Sequence, residues 1–211
     1  SSRSQWSVLV HSRMLTYAHI LDLDTKFRAL LSSLPIFLRP DPTLEQLPEV
    51  RQEQAQRPYL AMHRLIVFEA VNQRLLVLHR DDMCRGHHDE KFAYSTRVAV
   101  DAARTILSCR QQIDNVHPAV QKHAAFRHHL FQAAIVLSIH LLELSHKAQG
   151  ESQVAHQLRD DIALIMNYLY GSNNLRTSLP VPQKIALKLI EMLLAEAYER
   201  QNRDADKSMS G

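Results

Sequence analysis

Apolar residues recur every three or four positions along most of this chain, as expected of amphipathic helices. The spacing predicts helices over residues 4–22, 24–34, 58–80, 89–113, 119–146, 151–170 and 182–200. Prolines interrupt the pattern between residues 35 and 57, so we predict a loop there with at most a short polar helix in EVRQEQAQ. The pattern therefore predicts an all-α fold, a single bundle of about seven helices.

The segment 58–80 differs from the other predicted helices because its apolar side chains point in almost every direction. A helix that is apolar all round is buried on most sides, so we expect this helix to be the buried centre of the bundle. The run LLVLHRDDM follows at 75–83. We predict that His79 and Arg80 end the helix, with Arg80 bound to C-terminal carbonyls or to a carboxylate.

Composition supports the helical interpretation and narrows the function. Four glycines are too few for many tight hairpins. A net charge of +3 does not by itself indicate nucleic-acid binding, and no apolar stretch reaches the roughly 18 residues of a membrane span. We expect one helical domain over residues 1–203 and a flexible polar tail over 204–211.

The two cysteines, Cys84 and Cys109, form no C-x-x-C pair. This excludes a zinc ribbon or a cysteine-cluster DNA-binding module within the chain and is typical of a reduced compartment. Cys84 lies beside Arg85, which could lower the thiol pKa somewhat, but we expect Cys84 to be an exposed, inert thiol. Cys109 is expected to be a small core residue.

The letters HRD at 79–81 raise the possibility of a kinase catalytic loop, which we reject. Such a loop requires an asparagine where this chain has Gly86, and it requires a glycine-rich phosphate loop and a D-F-G sequence. The chain has neither of these two sequences.

Other catalytic and metal-binding patterns are also incomplete. The histidine pairs 87–88 and 128–129 lack the H-E-x-x-H spacing of a zinc site. The aspartate pairs 81–82 and 160–161 lack a third acid, and Asp22 and Asp24 are expected at a helix end. We therefore predict no catalytic residue, no metal and no cofactor. The sequence IEMLL at 190–194 has the spacing of a partner-binding helix, but the same leucines are needed to bury the last helix, so we predict core packing for it.

Three short motifs together resemble one known family. They are Leu78-His79-Arg80, Tyr94-Ser95 and Ala102-Ala103-x-x-Ile106. Their order and spacing resemble the middle homology region of fungal zinc-cluster transcription factors, as does the upstream segment YAHILDLDTKFRALLSSLPIFL. The chain resembles the C-terminal half of that region, without the DNA-binding cluster, and it has Asp81 where the family usually has proline.

The resemblance implies a non-catalytic regulatory module that acts in the nucleus. It implies that a small apolar effector or transcriptional partner proteins bind the module, or that it self-associates, with no direct nucleic-acid contact. The ligand-binding residues are left unassigned. Two alternatives stay open, namely a helical-bundle enzyme with an acidic or histidine-lined pocket and a purely structural dimerisation module.

Overall fold

Seven α-helices form the described part of the chain, and no strand is found within it. The structure is a computed structural model that describes residues 16–41, 43–116, 124–146, 153–170 and 181–209. The helices are α1 (Tyr17–Ser33), α2 (Pro48–Gln56), α3 (Tyr59–Gly86), α4 (Ala93–Val116), α5 (Ala124–His146), α6 (Gln153–Tyr170) and α7 (Val181–Met209). Short 3-10 turns lie at Ile36–Leu38, Leu44–Gln46 and Glu90–Phe92. The predicted all-α bundle is confirmed.

Helix α1 runs without interruption through the point where two helices were predicted to meet. The hydroxyl of Thr16 accepts a hydrogen bond from the backbone of His19 and begins the helix. Ion pairs one turn apart, Asp22 with Lys26 and Asp24 with Arg28, bridge the predicted break. The helix ends at Ser33 because Pro35 disfavours helical backbone at the residue before it. Predicted helical residues 4–15 lie outside the described residues, as do 119–123 and 151–152.

Helix α3 continues to Gly86, so the prediction that His79 and Arg80 end it is wrong. Met83 is buried one turn beyond His79, and Asp82 pairs with Arg85 at 2.8 Å within the last turns. The helix ends where it meets the start of α4. Thr96 Oγ1 donates to the Met83 carbonyl at 2.8 Å, which satisfies one of the last helical acceptors.

The helices pack around α3, α4 and α5. Helices α3 and α4 form an antiparallel hairpin, and α3 and α5 run parallel, since Glu69 contacts His129 and His87 contacts His140. Helix α3 also contacts α1 and α2, as expected of a central helix. Helix α6 packs on α5, and Arg104 of α4 binds Asp161 of α6 at 2.9 Å.

The core is mainly aliphatic and is shared by α3, α4, α5, α6 and α7, with α7 packed on α5. Its largest fully buried side chains are Leu76, Met83, Ile106, Ile113, Leu130, Leu137, Leu141, Leu158, Ile162, Ile165, Leu169 and Ile190.

The predicted short polar helix in EVRQEQAQ is confirmed as α2. The helical backbone of α7 extends past residue 203 to Met209, so the segment expected to be a tail is helical as far as that residue. The domain boundary at residue 203 remains a prediction.

Candidate functional site

Two of the family motifs meet in a buried polar cluster between α1, α3 and α4. His79 Nδ1 lies 2.9 Å from Ser95 Oγ, and His79 Nε2 lies 3.3 Å from Asp24 Oδ1. All three side chains are buried. The three helices thus bring together residues that are far apart in the chain.

Three further side chains complete this cluster. Arg28 Nε donates to Asp24 Oδ2 at 2.9 Å, and the Tyr94 hydroxyl donates to the same oxygen at 2.8 Å. The Tyr17 hydroxyl lies 3.3 Å from Ser95 Oγ. We call the set Tyr17, Asp24, Arg28, His79, Tyr94 and Ser95 the motif cluster.

Burial and hydrogen bonding fix the charges in the motif cluster. Burial raises the pKa of Asp24, but the hydrogen bonds from Arg28 and Tyr94 and the charge of Arg28 outweigh it, so the pKa lies below its ordinary value. Burial lowers the pKa of His79, and this effect outweighs the opposing effect of Asp24. At neutral pH an ionised Asp24 therefore faces a neutral His79, whose Nε2–H donates to the carboxylate.

The motif cluster contains the residue types of a hydrolase triad, but it is built as a structural network. Ser95 and His79 are completely buried, so a substrate has no route to the hydroxyl. Nucleophilic catalysis requires a site beside the serine where a reacting atom can sit. The packed cluster instead links α1 to the α3–α4 hairpin through hydrogen bonds among buried groups, which stabilise a specific packing.

The other motif residues lie outside the motif cluster. Leu78 is half-buried on α3, and Ala102 and Ala103 are buried on α4, where small side chains allow close packing of neighbouring helices. Arg80 is exposed in the last two turns of α3, and its Nε lies 3.2 Å from Asp81 Oδ1. The predicted contact of Arg80 with a carboxylate is therefore present, whereas its predicted position at the end of the helix is wrong.

A half-open groove lies between the parallel helices α3 and α5. Its volume is ≈ 270 Å³. The lining is mainly aliphatic, and its residues are Leu76, Arg80, Asp81, Met83, Gln132, Ile135, Val136 and Ile139. We call it the α3–α5 groove. Leu76, Met83 and Val136 form its buried floor, while Arg80 and Asp81 stand at its exposed edge.

Polar contacts join α3 and α5 on both sides of the α3–α5 groove. Toward the start of α3, buried Glu69 binds His129 Nδ1 at 2.9 Å, and Gln73 Nε2 donates to Gln132 Oε1 at 3.0 Å. Toward the end of α3, a nitrogen of His87 lies 3.2 Å from a nitrogen of His140. These contacts hold the two helices together at each end, and the groove occupies the apolar stretch between them.

The remaining candidates have structural roles. His88 pairs with Glu143 at 3.4 Å, and Asp161 binds Arg104. In the part of the chain that the structure describes, no three His, Cys, Asp or Glu side chains lie together as metal ligands would. Asp24, expected at a helix end, is instead buried within α1. Among the described helices, none has the length and apolar character needed to cross a membrane.

The two cysteines differ from each other as expected, one exposed and one buried. Cys84 is exposed within α3, and its pKa is raised by burial of part of the side chain and by the charges of Glu143 and Asp81. The raised pKa agrees with the expectation of an inert thiol, and the lowering that Arg85 could cause is not found. Cys109 is buried, and burial, with the nearby charge of Glu69, raises its pKa to about 12.

The segment IEMLL in α7 is divided between the core and the surface. Ile190 is fully buried, Leu193 and Leu194 are half-buried, and Met192 is exposed. Leu189, which directly precedes this segment, is exposed as well. Core packing therefore explains only part of this segment.

Two curated fungal proteins match the chain. The probable transcription factor lepB of Aspergillus flavus is 26% identical over 131 residues, which are 60% of this chain and 23% of that protein. The agnestins biosynthesis cluster transcription factor AgnL11 of Paecilomyces divaricatus is 27% identical over 146 residues, which are 68% of this chain and 20% of that protein. The chain is related to fungal transcription factors.

This relationship covers a limited part of the relatives. The chain spans about a fifth of the length of the curated relatives it matches. No protein-family model matches the chain, and no solved structure matches it significantly. The expected kinship with fungal transcription factors is confirmed, and the narrower assignment to their middle homology region remains a proposal.

Proposed function

We propose that this chain is a non-catalytic regulatory module of a fungal transcription regulator and that it responds to a small apolar molecule in the α3–α5 groove. The two transcription-factor relatives support the regulatory role and, with it, action in the nucleus. The motif residues support an origin in the middle homology region. The observation that carries the effector hypothesis is the aliphatic groove beside the central helix.

The position of the α3–α5 groove explains how a ligand would change the module. Ligand sites in helical proteins form between helices and are lined mainly by apolar side chains. A molecule there would contact α3 and α5 at once and would stabilise one separation of the two helices. Helix α3 is also joined to α1 through His79 and Asp24, so occupancy of the groove would bias the packing of three helices.

An exposed apolar strip on α7 supports a second candidate function, the binding of a partner protein or a second copy. Val181, Ile185, Leu189 and Met192 are exposed and lie on one face of the helix. Exposed apolar patches of this kind often mark interaction surfaces. Sedimentation velocity tests self-association by comparing the parent chain with the double variant Ile185→Ser/Met192→Ser. If α7 forms the interface of a dimer, the parent should dimerise and the variant should remain a monomer.

A reporter assay tests the regulatory role of the α3–α5 groove. The chain is fused between a heterologous DNA-binding domain and an activation domain, and reporter output is measured in fungal cells. Ile139→Trp fills the groove, and Val154→Trp places the same side chain at an exposed site on α6. We expect Ile139→Trp to change the output at equal protein level, while Val154→Trp leaves it unchanged. Equal output from both variants would contradict the proposal.

A further inference from the structure

We infer that the molecule bound in the α3–α5 groove is an apolar compound with one anionic group, held by Arg80 at the edge of the groove. This inference rests on the proposed function and specifies the ligand class. The groove provides an aliphatic surface for the body of the ligand and one available guanidinium for its charge.

The shape and lining of the groove limit the body of the ligand. Its volume of ≈ 270 Å³ lies near the lower end of ligand sites, which span about 300–1,000 Å³. Leu76, Met83 and Val136 form the floor, and Ile135 and Ile139 form the α5 side. A body of about two fused rings or a short aliphatic chain fits such a site, and the flexible Met83 side chain can adapt to either.

Arg80 has the hydrogen-bonding capacity to bind the anion. Its Nε lies 3.2 Å from Asp81 Oδ1, and neither Nη atom contacts an acceptor among the described residues. A guanidinium with both terminal nitrogens available binds a carboxylate through two parallel hydrogen bonds. Arg80 therefore supplies a preformed partner for a carboxylate or a similar planar anion.

The negative charge of Asp81 does not prevent Arg80 from binding an anion, because the Asp81 side chain is far more exposed than that of Arg80. The side chain of Asp81 is 83% exposed, against 47% for Arg80. Water screens an exposed carboxylate strongly, and exposed ion pairs contribute little free energy. A ligand anion can replace Asp81 at Arg80 at small cost, and the displaced carboxylate remains hydrated.

The other polar side chain in the groove is already engaged within the protein. Gln132 Oε1 accepts from Gln73, and Gln132 Nε2 lies 3.1 Å from His128 Nε2. Asp82, next along α3, is bound by Arg85. Arg80 is thus the positively charged side chain that lines the groove. Its ion-pair partner, Asp81, is more exposed than Arg80 itself.

A matched pair of probes tests the anion preference. Binding of naphthoate and of the neutral naphthylmethanol to the whole chain is measured by isothermal titration calorimetry. Three variants are compared with the parent: Arg80→Gln removes the guanidinium, Arg74→Gln removes an exposed arginine of α3 that does not line the groove, and Ile139→Trp fills the groove. Thermal unfolding confirms that each variant remains folded.

We expect naphthoate to bind more tightly than naphthylmethanol, and Arg80→Gln to weaken naphthoate binding about tenfold while leaving naphthylmethanol unchanged. Arg74→Gln should match the parent, and Ile139→Trp should bind neither probe. Equal binding of naphthoate by Arg80→Gln and the parent would overturn the anion assignment, as would binding of naphthylmethanol alone, and both would leave the effector proposal intact. Binding of neither probe by the parent would overturn both proposals.

Discussion

His79 of α3 and Asp24 of α1 lie 3.3 Å apart in the interior, where a neutral imidazole donates to an ionised carboxylate. Buried polar groups are stable only when they find partners, and each of these residues supplies one to the other. The contact joins the upstream segment of the family resemblance to the L-H-R motif. In this chain, residues from two of the segments that carry the resemblance therefore share one structural role.

The state of His79 predicts that acid destabilises the protein. Its pKa in the folded protein lies below the ordinary value of 6.5, so as pH falls the unfolded chain takes up the proton first. Its contribution to stability is present above about pH 6.5 and is lost as pH falls toward the folded pKa. Urea denaturation between about pH 7.5 and about pH 5.5 should show a falling free energy of unfolding, by at most about 1.4 kcal/mol per pH unit from this group.

The variant His79→Gln isolates this effect. It should be less stable at neutral pH and should show a shallower dependence on pH than the parent. His63→Gln, at an exposed position of the same helix, serves as the control and should keep the parent slope. Identical slopes for His79→Gln and the parent would mean that His79 titrates in the folded protein as it does in the unfolded chain.

The hydroxyl of Tyr94 is expected to stabilise the fold through Asp24. Tyr94→Phe removes a donor at 2.8 Å from a buried carboxylate. A hydrogen bond to a charged group contributes about 1.5–3 kcal/mol, and we expect a loss near the lower end because Arg28 remains. The measurement is chemical denaturation at neutral pH, with Tyr59→Phe, at an exposed position, as the control. Equal stability of the two variants would show that the hydroxyl contributes nothing.

Apolar periodicity predicted that the chain is all-α and where most of its helices lie, because it reflects which face each helix buries. Among the described residues the number of helices agrees with the prediction only because two predicted helices are one, α1, and the polar segment α2 is a helix. The two errors have physical causes. The acidic pair in LDLD looked like a helix end, but Asp22 and Asp24 each bind a basic residue one turn later. The charged run after Leu78 also looked like a helix end. Met83 follows Leu76 by seven residues, which is two helical turns, so both side chains lie on the same buried face. This spacing was the sequence signal that the helix continues.

The candidate sites could be predicted only in part. The burial of His79 follows from its place on a helix that is apolar all round, but the sequence did not indicate that Asp24 is its partner. That pairing depends on how α1 crosses α3. The spacing of apolar residues within one helix gives no information about a contact between two residues that are 55 positions apart in the sequence. The α3–α5 groove depends on the separation of two parallel helices, which side-chain volumes and contacts at both helix ends determine together.

Gly86 is expected to be intolerant of any side chain. A Cβ at this position would collide with the Phe92 carbonyl oxygen and with Thr96 Oγ1, because the end of α3 lies directly against the start of α4. The backbone oxygen cannot move aside cheaply, so Gly86→Ala should destabilise the protein by about 1–3 kcal/mol. Asp81→Ala, at an exposed position in the same helix, should remain within about 0.5 kcal/mol of the parent. A thermal midpoint of Gly86→Ala equal to that of Asp81→Ala would contradict the close approach of the two helices.

The two cysteines should react with a thiol reagent at very different rates. Only the thiolate is nucleophilic, and the pKa of the buried Cys109 is about 12. In the folded protein Ellman's reagent should therefore modify Cys84 alone, slowly at neutral pH and faster as pH rises, because the pKa of Cys84 is also raised. Cys84→Ser should show almost no reaction until denaturant is added, and Cys109→Ser should react like the parent. Rapid modification of Cys84 at neutral pH would contradict this and would show that Arg85 lowers the pKa of the thiol.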